Sequence, residues 1–89
     1  MKAIVTVIGK DTVGIIAAVC ALLAQYNVNV LDISQTVMQD YFTMIMMVDL
    51  ADCQTSFADL ASALEQAGQE RGLSIRIQRE DIFNAMHKI

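Results

Sequence analysis

The stretch Gly9-Lys10-Asp11-Thr12-Val13-Gly14-Ile15 decides the fold, because it joins two apolar segments of different periodicity. Residues 2–8 carry β-branched side chains on both faces, which predicts a central strand that is buried on both sides. Residues 15–26 have apolar side chains at helical spacing, which predicts an amphipathic helix. The quoted stretch is therefore a loop, bounded by glycines, between a strand and the start of a helix.

A loop of this kind has the groups needed to bind an anion. The first backbone N–H groups of a helix have no partners within the helix, and the helix dipole is positive there. A carboxylate or a phosphate can bind to them, and Gly14 would let such a ligand approach the backbone closely. The alternative is an ordinary strand-to-helix turn in which Asp11 or Thr12 caps the helix. The spacing alone favours this alternative.

The rest of the chain predicts three further strands, a second long helix and a short terminal helix. The strands lie at residues 28–38, 41–50 and 73–79, and the helices at residues 57–72 and 80–89. The strand at 28–38 has one polar face, as an edge strand does, whereas the strand at 41–50 is apolar enough to be central. Ser56 is a suitable N-cap for the second helix, and Asn27 and Gly72 are suitable C-terminal stops.

The element order β-α-β-β-α-β predicts an α+β fold, a ferredoxin-like βαββαβ sandwich with a short C-terminal helix. Eighty-nine residues are enough for a single domain, so we assign residues 1–89 to it. Right-handed crossovers require the first and third strands in the middle of the sheet. We therefore expect an antiparallel sheet of order 4-1-3-2 with both long helices on one face.

This arrangement leaves the other face of the sheet open, and apolar residues are expected on it. The residues assigned to this face are Ile4, Thr6, Ile8, Ile45 and Met47, beside Asp32, Ser34, Arg76 and Gln78. The chain is 55% apolar, which is high for a small domain with a large surface. We predict a homodimer that uses the open face or the edge strand at residues 28–38. The alternative is that the apolar excess only fills a dense core.

The composition argues against several classes of partner and cofactor. The net charge is −4 and the six bases are dispersed, so no nucleic-acid partner is expected. No run approaches the length that crosses a membrane, and Lys10 and Asp11 divide the run that resembles a signal peptide. We therefore expect a cytoplasmic protein with no membrane partner. Cys20 and Cys53 belong to no ligand cluster, so we expect free thiols, no metal and no cofactor.

Catalysis is the weakest of the functional classes. His87 is the only histidine, and no serine or cysteine nucleophile stands at a recognisable spacing from a base. Acylphosphatases share the fold but need an arginine in the first loop, where this chain has Lys10 and Asp11. Metal chaperones of this fold need paired cysteines there, and RNA-binding modules need aromatic residues on the central strands. We predict that the chain is not an enzyme.

Three short motifs that follow the run Lys2–Ile8 resemble the ACT domain, and the likeness continues through Tyr41-Phe42-Thr43-Met44 to the tail Ile82-Phe83-x-Ala85-Met86. They are Asp11-x-x-Gly14-Ile15, Asn27-Val28-Asn29-Val30 and Asp32-Ile33-Ser34-Gln35. More narrowly, the chain resembles the small stand-alone bacterial ACT-domain proteins, and half of the glycine-cleavage repressor-like proteins. The resemblance implies the βαββαβ fold, dimerisation, and binding of a small ligand, typically an amino acid, near the first loop. ACT domains usually regulate an attached enzyme or transcription factor.

We accordingly predict an amino-acid site where the first loop meets the polar residues of the edge strand at a subunit interface. Its candidate residues are Gly9, Asp11, Gly14, Ile15, Asn29, Asp32 and Gln35. The ligand carboxylate would bind the backbone N–H groups near Gly14 and Ile15, and the ammonium group would meet Asp11 or Asp32. Asn29 and Gln35 would orient the ligand. The alternative function is a protein-interaction module with an unidentified protein target and no metabolite ligand.

Overall fold

The computed structural model describes residues 1–10 and 14–81. The elements are β1 (Lys2–Lys10), α1 (Ile15–Gln25), β2 (Asn29–Met38), β3 (Tyr41–Asp49), α2 (Phe57–Arg71) and β4 (Ser74–Arg79). The predicted order β-α-β-β-α-β is confirmed. The predicted terminal helix at residues 80–89 lies, apart from its first two residues, outside the described residues.

The four strands form one sheet in the order β2-β3-β1-β4. Every neighbouring pair is antiparallel. The predicted order 4-1-3-2 is therefore confirmed, with β1 and β3 in the middle. Each β-α-β unit crosses over to a strand on the far side of a central strand, which is the arrangement that right-handed crossovers require.

The core lies on one face of this sheet, under both helices. On β1 the buried residues alternate as Ala3, Val5 and Val7, and in the register of the sheet they lie beside the buried even-numbered residues of β3. The same core cluster contains residues from both helices: Ile15, Val19 and Leu23 of α1, and Leu60 and Leu64 of α2. The prediction that both long helices cover the same face is confirmed.

Both ends of α2 are held by the residues predicted to hold them. The Ser56 hydroxyl accepts a hydrogen bond from the backbone N–H of Asp59 at 3.2 Å. At the other end, Gly72 takes the left-handed conformation, with φ of 71°. Asp59 in the first turn and Arg71 in the last turn complement the helix dipole.

The C-terminal end of α1 agrees with the prediction, whereas its N-cap differs from it. The helix ends at Gln25, and Asn27 is left-handed with φ of 59°, so Asn27 acts as the predicted stop. The N-cap, however, is Gly14, whereas the capping alternative named Asp11 or Thr12. Those two residues lie outside the described residues.

Strand β2 differs from the prediction of one buried and one wet face. Leu31, Ile33 and Val37 are 45%, 40% and 55% exposed, so the apolar parity of this strand also faces solvent. The fully buried part of the core includes no residue of β2, and only Val30 of this strand packs partly against it. An irregularity between Val30 and Asp32 further shifts the register against β3.

The open face of the sheet is exposed in part. Ile8 and Ile45 are exposed, as predicted, but Ile4 is buried, with 7% exposure. In the register of the sheet Ile4 lies between Met47 of β3 and Gln78 of β4, whose long side chains flank it. The exposed apolar part of this face is therefore the half near the carboxyl end of β1.

Candidate functional site

The N-terminus of α1 is the feature of the predicted site that the structure describes best. Gly14 is its N-cap, with φ of 87°, and as a glycine it has no side chain with which to cap the helix. The first helical hydrogen bond runs from the N–H of Ala18 to the carbonyl of Gly14 at 2.9 Å. The N–H groups of residues 15–17 therefore precede the hydrogen-bonded ladder, and as donors without intrahelical partners they can bind a ligand.

Space is available beside this helix end. A Cβ atom built on Gly14 would meet no atom within 4 Å among the described residues. By contrast, the first turn of α2 is closed by the Ser56 hydroxyl. Of the two long helices, α1 is thus the one whose own cap residue leaves the first N–H groups open to a ligand.

Ile15 contributes its backbone and not its side chain to this helix end. Its side chain is 5% exposed and packs in the core cluster with Val19 and Leu23. Burial of this side chain fixes the start of α1 against the sheet. The orientation of the first N–H groups is therefore set by packing before any ligand binds.

Gly9 has a packing role at the same end of the sheet. A Cβ atom on Gly9 would overlap Cδ2 of Leu73, which enters the sheet region just before β4. The overlapping atom is the end of a flexible side chain, and the next nearest atoms are the Cα of Leu73 at 3.4 Å and the carbonyl oxygen of Gly72 at 3.5 Å, so a Cβ on Gly9 would require the Leu73 side chain to shift. Packing thus gives Gly9 a role that needs no ligand, and its assignment to the site remains a prediction.

The predicted polar residues of β2 are distributed along the strand and do not converge on the loop within one subunit. Gln35 is opposite Met44, close to the end of the sheet where Gly9 is opposite Phe42. Asn29, however, is opposite Asp49, which is seven residues along β3 from Phe42. At the rise of a β-strand this separation is about 24 Å.

Asp32 also lies toward the far end, opposite Met47. Its carboxylate accepts a hydrogen bond from the N–H of Ile33 at 2.9 Å. Asp11 is outside the described residues. A single subunit thus brings Gly9, Gly14, Ile15 and Gln35 to one end of the sheet, and Asn29 and Asp32 to the other.

The sequence reasoning predicted β2 as an edge strand but missed that the apolar side chains of this strand are exposed. This strand has ten residues and a single charged side chain, Asp32. The other edge strand, β4, has six residues, of which Arg76 and Arg79 are charged. A short, charged strand is protected against pairing with another chain, whereas a long apolar edge is not. The scarcity of charge between Asn29 and Met38 was the available signal.

The best-defined cavity and the ion pair between side chains do not lie at the end of the sheet where α1 begins. A cavity of about 560 Å³ lies at the opposite end of the sheet and is lined by Met1, Lys2, Arg79, Glu80 and Asp81. There Asp81 binds Arg79 at 2.9 Å, and this hydrogen bond and ion pair raise the pKa of the guanidinium.

Within residues 1–10 and 14–81, no three His, Cys, Asp or Glu side chains are grouped so that they could hold a metal ion. Cys20 and Cys53 are free thiols. In the same part of the chain, no helix has both the length and the apolar character needed to span a bilayer.

The βαββαβ sandwich agrees with the fold that the three sequence motifs implied. The sequence model of the ACT domain matches residues 2–78. The chain therefore belongs to the ACT-domain family, and the resemblance inferred from the three motifs is confirmed.

Three known proteins show what the chain is similar to. A UPF0237 protein from Clostridium acetobutylicum is 55% identical over 89 residues, which is 100% of both chains. The structure of an ACT domain protein from Streptococcus pneumoniae is 45% identical, with a TM-score of 0.83 and 98% of each chain covered. The regulatory subunit of aspartate kinase from Thermus thermophilus, in its ligand-free form, is 30% identical, with a TM-score of 0.68 over 89% of this chain and 51% of that one.

Proposed function

We propose that this chain is a non-catalytic regulatory module that binds an amino acid as a homodimer. The observation that carries the proposal is the open N-terminus of α1, where a glycine cap leaves the first backbone N–H groups available. A carboxylate suits this position, because the N–H groups donate to it and the helix dipole attracts its charge. Membership of the ACT-domain family and the likeness to a regulatory subunit support the same function.

The exposed edge of β2 supports dimerisation through this strand. Within the described part of the chain, its outer backbone groups have no neighbouring strand, and Leu31, Ile33 and Val37 expose apolar surface beside them. Pairing with the β2 strand of a second copy would satisfy the backbone groups and bury these side chains. Such a contact is isologous, so each residue of the strand is used twice.

Antiparallel pairing of the two β2 strands would also complete the predicted site. If the two-fold axis passes between Ile33 and Ser34, the partner's Asn29 lies opposite Met38. Met38 is at the end of the sheet where β1 reaches Lys10, so the partner's Asn29 would come within three strand spacings of β1. That distance is about 14 Å between the two backbones. The carboxylate and ammonium groups of an amino acid are on one carbon, so side chains from both subunits would have to span most of it.

In this arrangement the two charged groups of the ligand would be bound by different subunits. The N–H groups after Gly14 would hold the carboxylate, and the partner's β2 would approach the ammonium group. Asp32 and Asn29 lie on the face of that strand away from the helices, so their side chains would reach the ligand around the edge of the sheet. The ligand would then stabilise the dimer, because it binds the paired state in preference to the separate subunits. A ligand that strengthens subunit pairing is a sufficient basis for regulation.

Thermal unfolding in the presence of each of the twenty amino acids tests this function. A ligand at a hundredfold its dissociation constant adds about 2.7 kcal/mol to the free energy of unfolding. For a domain of this size we expect the melting temperature to rise by roughly 10–20 °C. If none of the twenty amino acids raises it, the chain is not an amino-acid sensor. That result would favour a protein-interaction module that uses the same exposed apolar edge.

A further inference from the structure

A row of three residues on the open face of the sheet is shielded from solvent. The open face is the side of the sheet away from α1 and α2. On it Gln78, Ile4 and Met47 lie side by side on β4, β1 and β3 and form what is called here the Ile4 row. Ile4 is buried, and its two neighbours are half-buried. In the next row, two residues along the strands, Arg76 and Ile45 are both exposed, so the shielding is not shared by the whole face.

Neighbouring strands do not by themselves account for the burial of Ile4. Side chains stand roughly perpendicular to a sheet, so neighbours cover the sides of a side chain and leave its end in solvent. Ile8 and Ile45, on the same face, are accordingly 47% and 43% exposed. Within the described residues, the core cluster beneath the two helices does not include Ile4. The Ile4 row therefore needs a covering segment that is neither α1 nor α2.

The segment that follows β4 begins beside this row. Glu80 and Asp81 come directly after the strand and already have helical backbone. A helix over residues 80–89 would span about 15 Å. The distance from β4 to β2 is three strand spacings, about 14 Å, so the segment has the length to cross the sheet. At helical spacing its apolar residues share one side: Ile82, Phe83, Met86 and Ile89.

We propose that residues 82–89 pack across the strands on the open face of their own chain, with their apolar side on the Ile4 row. The segment then buries apolar surface that would otherwise contact water, and this burial drives the contact. A segment laid along β4 would instead cover Arg76, which is exposed. The half of the face that contains Ile8 and Ile45 stays open. The covered end of the face is thus closed to other molecules, and only the open half can bind a partner.

The charges along the segment favour the same direction across the sheet. At its start, the carboxylate of Asp81 lies 2.9 Å from the guanidinium of Arg79, which places the start of the segment at the end of β4. Farther along, the segment carries Lys88. On β2 the residue opposite Met47 is Asp32, which extends the Ile4 row to the edge of the sheet. A helix that crosses from β4 brings the positive charge of Lys88 toward the negative charge of Asp32, and their attraction favours this direction.

The rate at which an introduced thiol reacts with an aromatic disulfide reagent measures this cover in the full chain. Cys20→Ser and Cys53→Ser first remove the free native thiols. Met47→Cys then places a thiol in the Ile4 row, and Ile45→Cys places one in the uncovered row beside it. We expect the thiol at position 47 to react about tenfold more slowly than the thiol at position 45, because the segment must first move away.

Phe83→Asp separates the cover from the general stability of the domain. A charge on the apolar side of the segment weakens its packing, so the thiol at position 47 should react about tenfold faster and the thiol at position 45 should not change. Asn84→Asp adds the same charge on the polar side of the segment and should change neither rate. Circular dichroism verifies that each variant is folded. The proposal is overturned if Phe83→Asp leaves the rate at position 47 unchanged, or if it raises both rates equally in a folded variant.

A second measurement uses the native sequence, so it does not depend on the folding of any variant. A nuclear Overhauser effect between the Ile4 methyl groups and the Phe83 ring reports their direct contact, and we expect it for Ile4 and not for Ile8. In a mixture of isotope-labelled and unlabelled chains, the effect should arise within one chain. If it is absent, or appears only between chains, the proposal is overturned. Neither measurement involves an amino-acid ligand, so both are independent of the proposed function.

Discussion

Gly14 and Gly72 both hold a left-handed backbone, and a Cβ atom on either would meet no described atom within 4 Å. Replacing each with alanine therefore tests the same backbone strain at two places. Gly14→Ala and Gly72→Ala should each lower the free energy of unfolding by about 1–2 kcal/mol. Of the two variants, only Gly14→Ala should abolish amino-acid binding, because its methyl group enters the space beside the first N–H groups of α1. Denaturant unfolding measures the stability, and titration calorimetry measures the binding.

If Gly14→Ala and Gly72→Ala lose the same amount of amino-acid binding, the loss comes from lower stability and not from a change at the site. Equal binding in both would remove Gly14 from the proposed site. The pair is informative because the backbone conformations are similar, with φ of 87° and 71°.

Gly68 is a different case, because its constraint comes from a neighbour and not from its backbone conformation. A Cβ atom there would lie 2.7 Å from the carbonyl oxygen of Leu73, against which α2 packs. We expect Gly68→Ala to lower the free energy of unfolding by about 1–3 kcal/mol, although alanine favours helix formation. Ser62→Ala, on the exposed side of the same helix, is the control and should not be destabilising. A stabilised Gly68→Ala variant would show that α2 can move away from Leu73 at little cost.

At the scale of the element, α2 has a side-chain cap and α1 does not. Ser56→Ala removes the hydrogen bond to the N–H of Asp59 and should cost about 1 kcal/mol of stability. Ser56→Asp should restore most of it, since aspartate is an equally good cap. The response to the amino acid should be unchanged in both variants, because this cap closes α2 and the proposed ligand binds at α1. Thermal unfolding with and without ligand measures both quantities.

The edge strand β2 is the element on which dimerisation through the edge depends. Val37→Lys places a charge at an exposed position of this edge, where lysine opposes pairing with a second strand. We expect the edge dimer to be lost while secondary structure, measured by circular dichroism, is retained. Gln69→Lys, on the exposed side of α2, is the matched control. Persistence of the edge dimer in the Val37→Lys variant would place the subunit contact elsewhere.

At the scale of the whole molecule, the proposed site combines Gly14 of one subunit with the partner's Asn29. Asn29→Ala and Gly14→Ala should each abolish amino-acid binding on their own. When the two variants are mixed and exchanged, a hybrid dimer contains one site with both Gly14 and the partner's Asn29 intact. Titration calorimetry should then recover about a quarter of the binding capacity, as expected for random pairing of two-fold dimers.

A site formed within one subunit would show no such recovery, since every chain in the mixture carries one defective residue. Within one subunit Asn29 and Gly9 lie at opposite ends of the sheet. An absence of recovery would therefore mean that the ligand binds at one end of the sheet without Asn29. The mixing experiment therefore separates a shared site from a local one.

The sequence by itself determined those features of this protein that depend on local periodicity and end signals. The order of strands and helices, the Ser56 cap, the left-handed Asn27 and Gly72, and the central position of β1 and β3 all follow from spacing, capping chemistry and the handedness of crossovers. Each of these depends on residues that are near one another in the chain, or on a rule that applies to any such order of elements.

Only the tertiary structure decided which apolar residues of β2 remain exposed, and which predicted site residues share an end of the sheet. Leu31 and Val37 have the same alternation as a buried face, but in the fold both side chains stay exposed at the edge of the sheet. Asn29 and Gly9 are brought to opposite ends by pairing between distant segments. Burial and register are set by long-range packing, and local sequence patterns do not contain that information.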